Sequence, residues 1–301
     1  MGKFKVGGHA YICLAAVLWG TIGLVVRHLN DAGISAMQVV FLRALVTVLI
    51  LVPMLLIFNR SVLKIKLKDI WCFIGTGIIS IVCFTYFNFY TLGIASMSFA
   101  AVMMYTAPVF LVIMSAILFK EKITVKKVIA CLIAFLGTAF TAGVFGSVNV
   151  GLTAVLTGVA SGFFYALYSV FCRYAINRGY TSVTITVYTF IFALIGSAPF
   201  INFGGTFSSI AAHPNSIWFL IIIAVVNTII PYFTYNIGLK NTETGVALII
   251  ATLEPVTATV LGFIIYKETL TAVSVIGILL VILSVVLLNF RIRKGQDRNN
   301  F

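Results

Sequence analysis

The stretch Pro108–Thr124 reads PVFLVIMSAILFKEKIT, and Pro255–Thr271 reads PVTATVLGFIIYKETLT. Each leaves a proline, runs uncharged for about three helical turns and ends on Lys-Glu-x-x-Thr. The two match without a gap at a displacement of 147 residues. A displacement of 146 or 147 also brings Arg27 onto Arg173, Trp19 onto Tyr165, Pro53 onto Pro199 and Trp71 onto Trp218. Several coincidences at one displacement mark an internal duplication, with a first copy at 1–145 and a second at 146–301.

Working outward, neither copy reads as soluble. Hydrophobic side chains make up 61% of the 301 residues and charged ones 9%, whereas soluble domains hold ~45–50% and ~25%. The apolar runs are continuous, which excludes the period-2 alternation of a membrane barrel. Ten spans are expected: Ala10–Val26, Ala36–Phe58, Ile70–Leu92, Phe99–Phe119, Val128–Val144, Leu152–Phe171, Val183–Phe203, Ile217–Leu239, Gly245–Tyr266 and Ala272–Phe290. Each is near the ~20 residues that cross ~30 Å of hydrocarbon. The fold class expected is an all-α membrane protein of ten transmembrane helices. The first span follows Lys3 and Lys5 as a signal peptide would, but no small-x-small cleavage site follows it, so it is read as a retained helix.

The net charge of +13 reports topology rather than nucleic acid. The N-terminus, the even-numbered loops and the C-terminal tail hold 17 of the 20 Lys and Arg; the opposite face holds only Arg27 and Lys267. By the positive-inside rule both termini are cytoplasmic. Five helices per copy is an odd number, so the second copy enters the membrane from the other face: KEKIT falls on the basic side and KETLT on the charge-poor side. Inverted repeats of this kind allow one cavity to open alternately to either face. The five cysteines lie in or at the ends of spans, contain no C-x-x-C and read as packing residues.

The residues carry a family resemblance. AAVLWGTIGLV at Ala15–Val25, a lone Arg in the second span, a mid-span Pro in the fourth with F-K-E-K-I-T at its end, and LEPVTATVLGFIIYKETLT in the ninth resemble the EamA-type ten-helix transporters of the drug/metabolite transporter superfamily. The resemblance covers Ala10 to Phe290, with a departure at Lys120, where relatives commonly carry Gly before the Glu. It implies a secondary transporter of small organic metabolites: an amino-acid or amine exporter of a bacterial-type inner membrane, acting as a monomer or homodimer. The alternative is an importer or exchanger of a choline-like quaternary amine.

The candidate site residues are those whose depth needs a reason. Arg43 and Glu254 are the charged side chains within the spans, about 10 Å and 14 Å deep at 1.5 Å per residue. A charge there costs about 2.5–3.5 kcal/mol on insertion scales, so each should face the bundle interior. Glu254 binds a cationic substrate or a proton, or else pairs with Arg43. Trp19, Tyr105 and Tyr165 are mid-depth and are read as substrate-binding, because an N–H or O–H facing lipid goes unpaired; Trp71, Trp218, Tyr90 and Tyr266 are belt residues near span ends. Asn88, Asn227 and Asn236 could add neutral hydrogen bonds at the site or between helices. Pro108 and Pro255 free backbone carbonyls at equivalent repeat positions, as cavity-lining kinks or as shapers of packing. Gly158 and Gly162 form a G-x-x-x-G packing face.

An intramembrane enzyme would need a catalytic set at depth. The aspartates lie in loops or at span ends, no H-E-x-x-H occurs and no histidine is deep. Neither a metal nor a cofactor is expected, and a phosphate-binding G-x-x-x-x-G-K-[ST] for ATP-driven transport is absent. A channel would need rings of charge that the spans lack.

Overall fold

The computed structural model describes residues 7–143, 151–267 and 269–289; the expectations placed on Lys3, Lys5, the repeat junction at 145–146, Glu268, the last residues of the fifth and tenth spans and the basic tail from Arg291 lie outside them. Among the described residues the chain is helix and turn without strand. In chain order the helices are α1 Gly8–Asp31, α2 Ala36–Phe58, α3 Leu67–Ile94, α4 Met97–Phe119, α5 Val125–Thr141, α6 Leu152–Asn177, α7 Ser182–Phe200, α8 Ser216–Lys240, α9 Thr244–Tyr266 and α10 Ala272–Asn289. Eight of them, all but the shorter α5 and α10, are long and apolar enough to cross a membrane. A short helix, Phe203–Ala212, joins α7 to α8.

The outer face explains itself as a surface for hydrocarbon. Ile57 at 75%, Phe58 at 81% and Ile117 at 73% stand exposed, which water would penalise and lipid does not. The chain is an integral, multi-pass membrane protein. Helix starts are set locally: Ser35 and Gln38 form a reciprocal capping box ahead of α2, and the Thr181 hydroxyl accepts the N–H of Thr184 ahead of α7.

Helix interiors are broken at matched places. α4 loosens at Tyr105–Thr106 and α9 at Thr252, each just before its proline. Thr106 donates its hydroxyl to Met103 O at 2.6 Å and Thr252 to Ile249 O at 2.6 Å, back-bonds of the kind that accompany a bend in a helix. Wide π turns occupy Gly75–Val82 in α3 and Val225–Ile229 in α8. From these turns Ser80 donates to Phe164 O at 2.9 Å and Asn227 to Leu18 O at 2.7 Å.

The packing follows one rule. α1 lies against α8 and α9, and α6 against α3 and α4; α2 meets α7, α4 meets α9 and α5 meets α10. Exchanging every helix with the one five places along returns the same set of pairs. α5 and α10 approach closely through glycines: a Cβ at Gly277 would stand 2.7 Å from Gly137 O, and one at Gly137 would stand 2.9 Å from Val281 N. Gly158 and Gly162 likewise seat α6 on Met103 and Thr106, at the break in α4.

Candidate functional site

A cavity of about 230 Å³ lies inside the bundle, lined by Trp19, Arg43, Asn88, Tyr165, Tyr168, Tyr232 and Glu254, with Ser80 and Phe84 among the rest. Helices from both halves of the chain supply these side chains to one volume. The break in α9 ahead of Pro255 places Glu254 in the first turn of the following helical segment, where the partial positive charge of the N–H groups favours a carboxylate. Tyr165 donates to Glu254 Oε2 at 3.3 Å. The indole of Trp19, 8% exposed, meets Tyr232 edge-on with ring centroids 5.2 Å apart, and Tyr232 meets Tyr168 in the same manner at 5.2 Å.

Arg43 is held differently. It is 9% exposed, its Cζ lies 5.7 Å from the Phe190 ring, and its Nε is buried without a hydrogen-bond partner. Among the described residues it forms no ion pair. The direct Arg43–Glu254 pair considered from the sequence is therefore absent from this structure, although both side chains reach the same cavity.

The remaining expected residues distribute around this centre. Tyr105 and Pro255 line an adjoining cavity of about 410 Å³ that shares Trp19, Ile22, Met104 and Glu254 with the first. Pro108 is buried in α4 and does not line either space. Asn227 is fully buried and spends its amide on Leu18 O and on Thr21 Oγ1 at 2.6 Å, so it ties α8 to α1 away from the cavity. Asn236 joins Tyr168, Cys172 and Thr186 in a buried network behind the cavity wall. Asn88 stays at the cavity with a buried, unpartnered Oδ1. Tyr168 and Tyr232 were not singled out from the sequence. Tyr168 stands one turn beyond Tyr165 and shares its helix face, which is the signal that could have found it.

The two ends of the bundle differ. A third cavity, about 680 Å³, continues from Gly20, Met97 and Ala258 to Arg27, Asp31 and Tyr266, where Arg27 lies over the Tyr266 ring at 4.2 Å. At the opposite end, polar contacts join the two halves of the chain. Glu121 accepts the N–H of Thr244 at 2.6 Å and of Gly245 at 3.2 Å, capping α9. Lys127 pairs with Glu121 at 3.8 Å and with Glu243, and Arg173 donates to Thr244 Oγ1 at 2.8 Å and to Thr242 O. Burial pushes the Glu121 carboxyl upward, but the donors from Thr244 and Gly245 and the Lys127 charge outweigh it, so it lies below the ordinary carboxylate range.

No group of three or more His, Cys, Asp or Glu able to hold a metal occurs among the described residues. Comparison with known proteins places this geometry. A model described as the EamA-like transporter family matches twice, over residues 6–143 and 152–290. An uncharacterized transporter of Archaeoglobus fulgidus is 28% identical over 277 residues, covering 90% of this chain and 92% of that protein. The uncharacterized transporter YetK of Bacillus subtilis is 25% identical, covering 91% and 84%. GDP-fucose transporter 1 of Dictyostelium discoideum is 26% identical over a shorter stretch, 58% of this chain and 48% of that one. A solved crystal structure superposes with a TM-score of 0.74 over 94% of this chain and 96% of the other, at 18% identity, a likeness of fold.

Proposed function

Because the chain belongs to the EamA-like transporter family, we propose that it is a secondary transporter that moves a small amine or amino acid through its central cavity by alternating access, in the direction of export across a bacterial-type inner membrane. The observation that carries this reading is the placement of the Glu254 carboxylate in an aromatic cavity formed by Trp19, Tyr165, Tyr168 and Tyr232. A cationic head finds there both a counter-charge and ring faces and edges of the kind used for ammonium recognition.

Alternating access between two inverted five-helix copies, through ten membrane crossings with both ends cytoplasmic, is part of the proposal. Three observations support it: the family model matching once in each half, the helix pairs that return on exchange of the halves, and the Ser80–Phe164 and Asn227–Leu18 bonds at equivalent positions. One end is sealed by the Glu121 cluster while cavities run to the other, the arrangement of one access state.

The test is counterflow in proteoliposomes: unlabelled compound inside, labelled compound outside, across a panel of amino acids, primary amines and choline. Exchange of a primary amine or amino acid supports the proposal. Exchange of choline alone selects the quaternary-amine reading, to which the aromatic wall would also be suited. Exchange of none of them overturns both.

A further inference from the structure

The central cavity holds two opposite charges that do not meet. Glu254 is occupied by Tyr165, while Arg43 keeps its Nε buried without a hydrogen-bond partner and its Cζ stands 5.7 Å from the Phe190 ring. A lone buried guanidinium is costly in hydrocarbon, and a ring 5.7 Å from Cζ recovers only about 0.5–2 kcal/mol. Helix packing does not require it either. In the register of the duplication Arg43 corresponds to Thr189 and Glu254 to Ala107, so the related positions build the same helix pairs without charge. Thr189 takes a neutral role, donating to Thr76 Oγ1 at 2.7 Å. The two charges depart from the internal symmetry, and both do so at the walls of one cavity.

We infer that Arg43 is a carboxylate-binding subsite, so that the ligand of this cavity is a zwitterion, an α-amino acid whose ammonium faces Glu254 and whose carboxylate faces Arg43. The inference rests on the reading of the cavity as the transport site. A guanidinium fork matches a carboxylate in two parallel hydrogen bonds, which an amine-only ligand leaves unmade. Asn88 lines the same cavity as Arg43 and brings a neutral side-chain amide beside the guanidinium. The aromatic wall then receives an apolar side chain. Discrimination follows from the cost of leaving a buried charge unpaired: a carboxylate-free analogue satisfies Glu254 but abandons Arg43.

The test uses matched ligands on the purified transporter in proteoliposomes. The common L-amino acids are screened by counterflow, and each that exchanges is compared with its methyl ester and its decarboxylated amine. The expected result is at least a ten-fold weaker half-saturation for ester and amine than for the parent in the wild-type protein, a comparison that needs no variant. In Arg43→Gln the gap between amino acid and ester should disappear, and Arg43→Lys should recover part of it. Equal half-saturation of parent, ester and amine in the wild type overturns the inference while leaving an amine transporter intact. Exchange of amines with no amino acid does the same. Exchange of neither class overturns the underlying transport proposal instead. If Arg43→Gln does not fold, the ester comparison on wild type still decides.

Discussion

The phenol of Tyr165 on α6 donates to Oε2 of Glu254 on α9 across 3.3 Å, joining the two helices at the cavity. A hydrogen bond to a charged partner contributes about 1.5–3 kcal/mol. Tyr165→Phe should therefore weaken binding of an amine-bearing ligand by roughly ten-fold, with the fold unchanged. Glu254→Gln should cost more, since it removes the counter-charge itself. Half-saturation in counterflow measures both; equal affinity in Glu254→Gln and wild type would remove Glu254 from the site.

The clasp at Glu121 has a sign in pH. Its carboxyl is depressed below the ordinary value of 4.5 by donors that outweigh burial. A depressed carboxylate stabilises fully above its unfolded value and loses that contribution as pH falls through the folded one. Glu121→Gln should therefore lower the melting temperature at pH 7 by the equivalent of about 1 kcal/mol, and the gap to wild type should close below pH 4.5. A gap that persists in acid would mean that shape rather than charge is at work.

The contact of α5 with α10 should be intolerant of bulk. Gly277→Leu places side-chain atoms where Gly137 O and Thr141 N already lie, and overpacking typically costs about 1–3 kcal/mol. Gly93, with nothing within 4 Å of its would-be Cβ, should accept alanine without loss. Thermal melting in detergent compares the two; equal melting temperatures for both variants would refute the tight seam.

Topology is open to labelling. Cysteines at Lys122 and at Thr269, in a background without the five native ones, should react with an impermeant maleimide from opposite faces of the membrane. Reaction from the same face would sink the inverted repeat.

Much of this was legible in the sequence because a membrane removes ambiguity. Long apolar runs between basic loops leave few choices of frame, and a charged or polar group at depth is expected to face inward; Arg43, Glu254, Trp19, Tyr165 and Asn88 do line one cavity. Rotation of a helix about its own axis was not legible. Helices as apolar all round as α8 carry no stripe from which to read a facing side, and the π turn at Val225–Ile229 shifts the phase of the residues beyond it. Tyr232, three residues past that turn, was therefore missed, and of the two roles left open for Asn227, within the turn, the bond between helices is the one found, to Leu18. Depth alone could not separate Tyr105, which lines the adjoining space.

The seal around Glu121, Lys127, Arg173 and the first turn of α9 draws its partners from both halves of the chain. Under the proposed alternating access, passage of the molecule to its other face would have to wet those groups before new bonds form elsewhere. The opening step of that cycle would then carry a large activation enthalpy, and salt would speed it by shielding the loosened charges. Cold and low ionic strength would arrest the molecule with this door shut, and those are the conditions under which its resting face can be trapped.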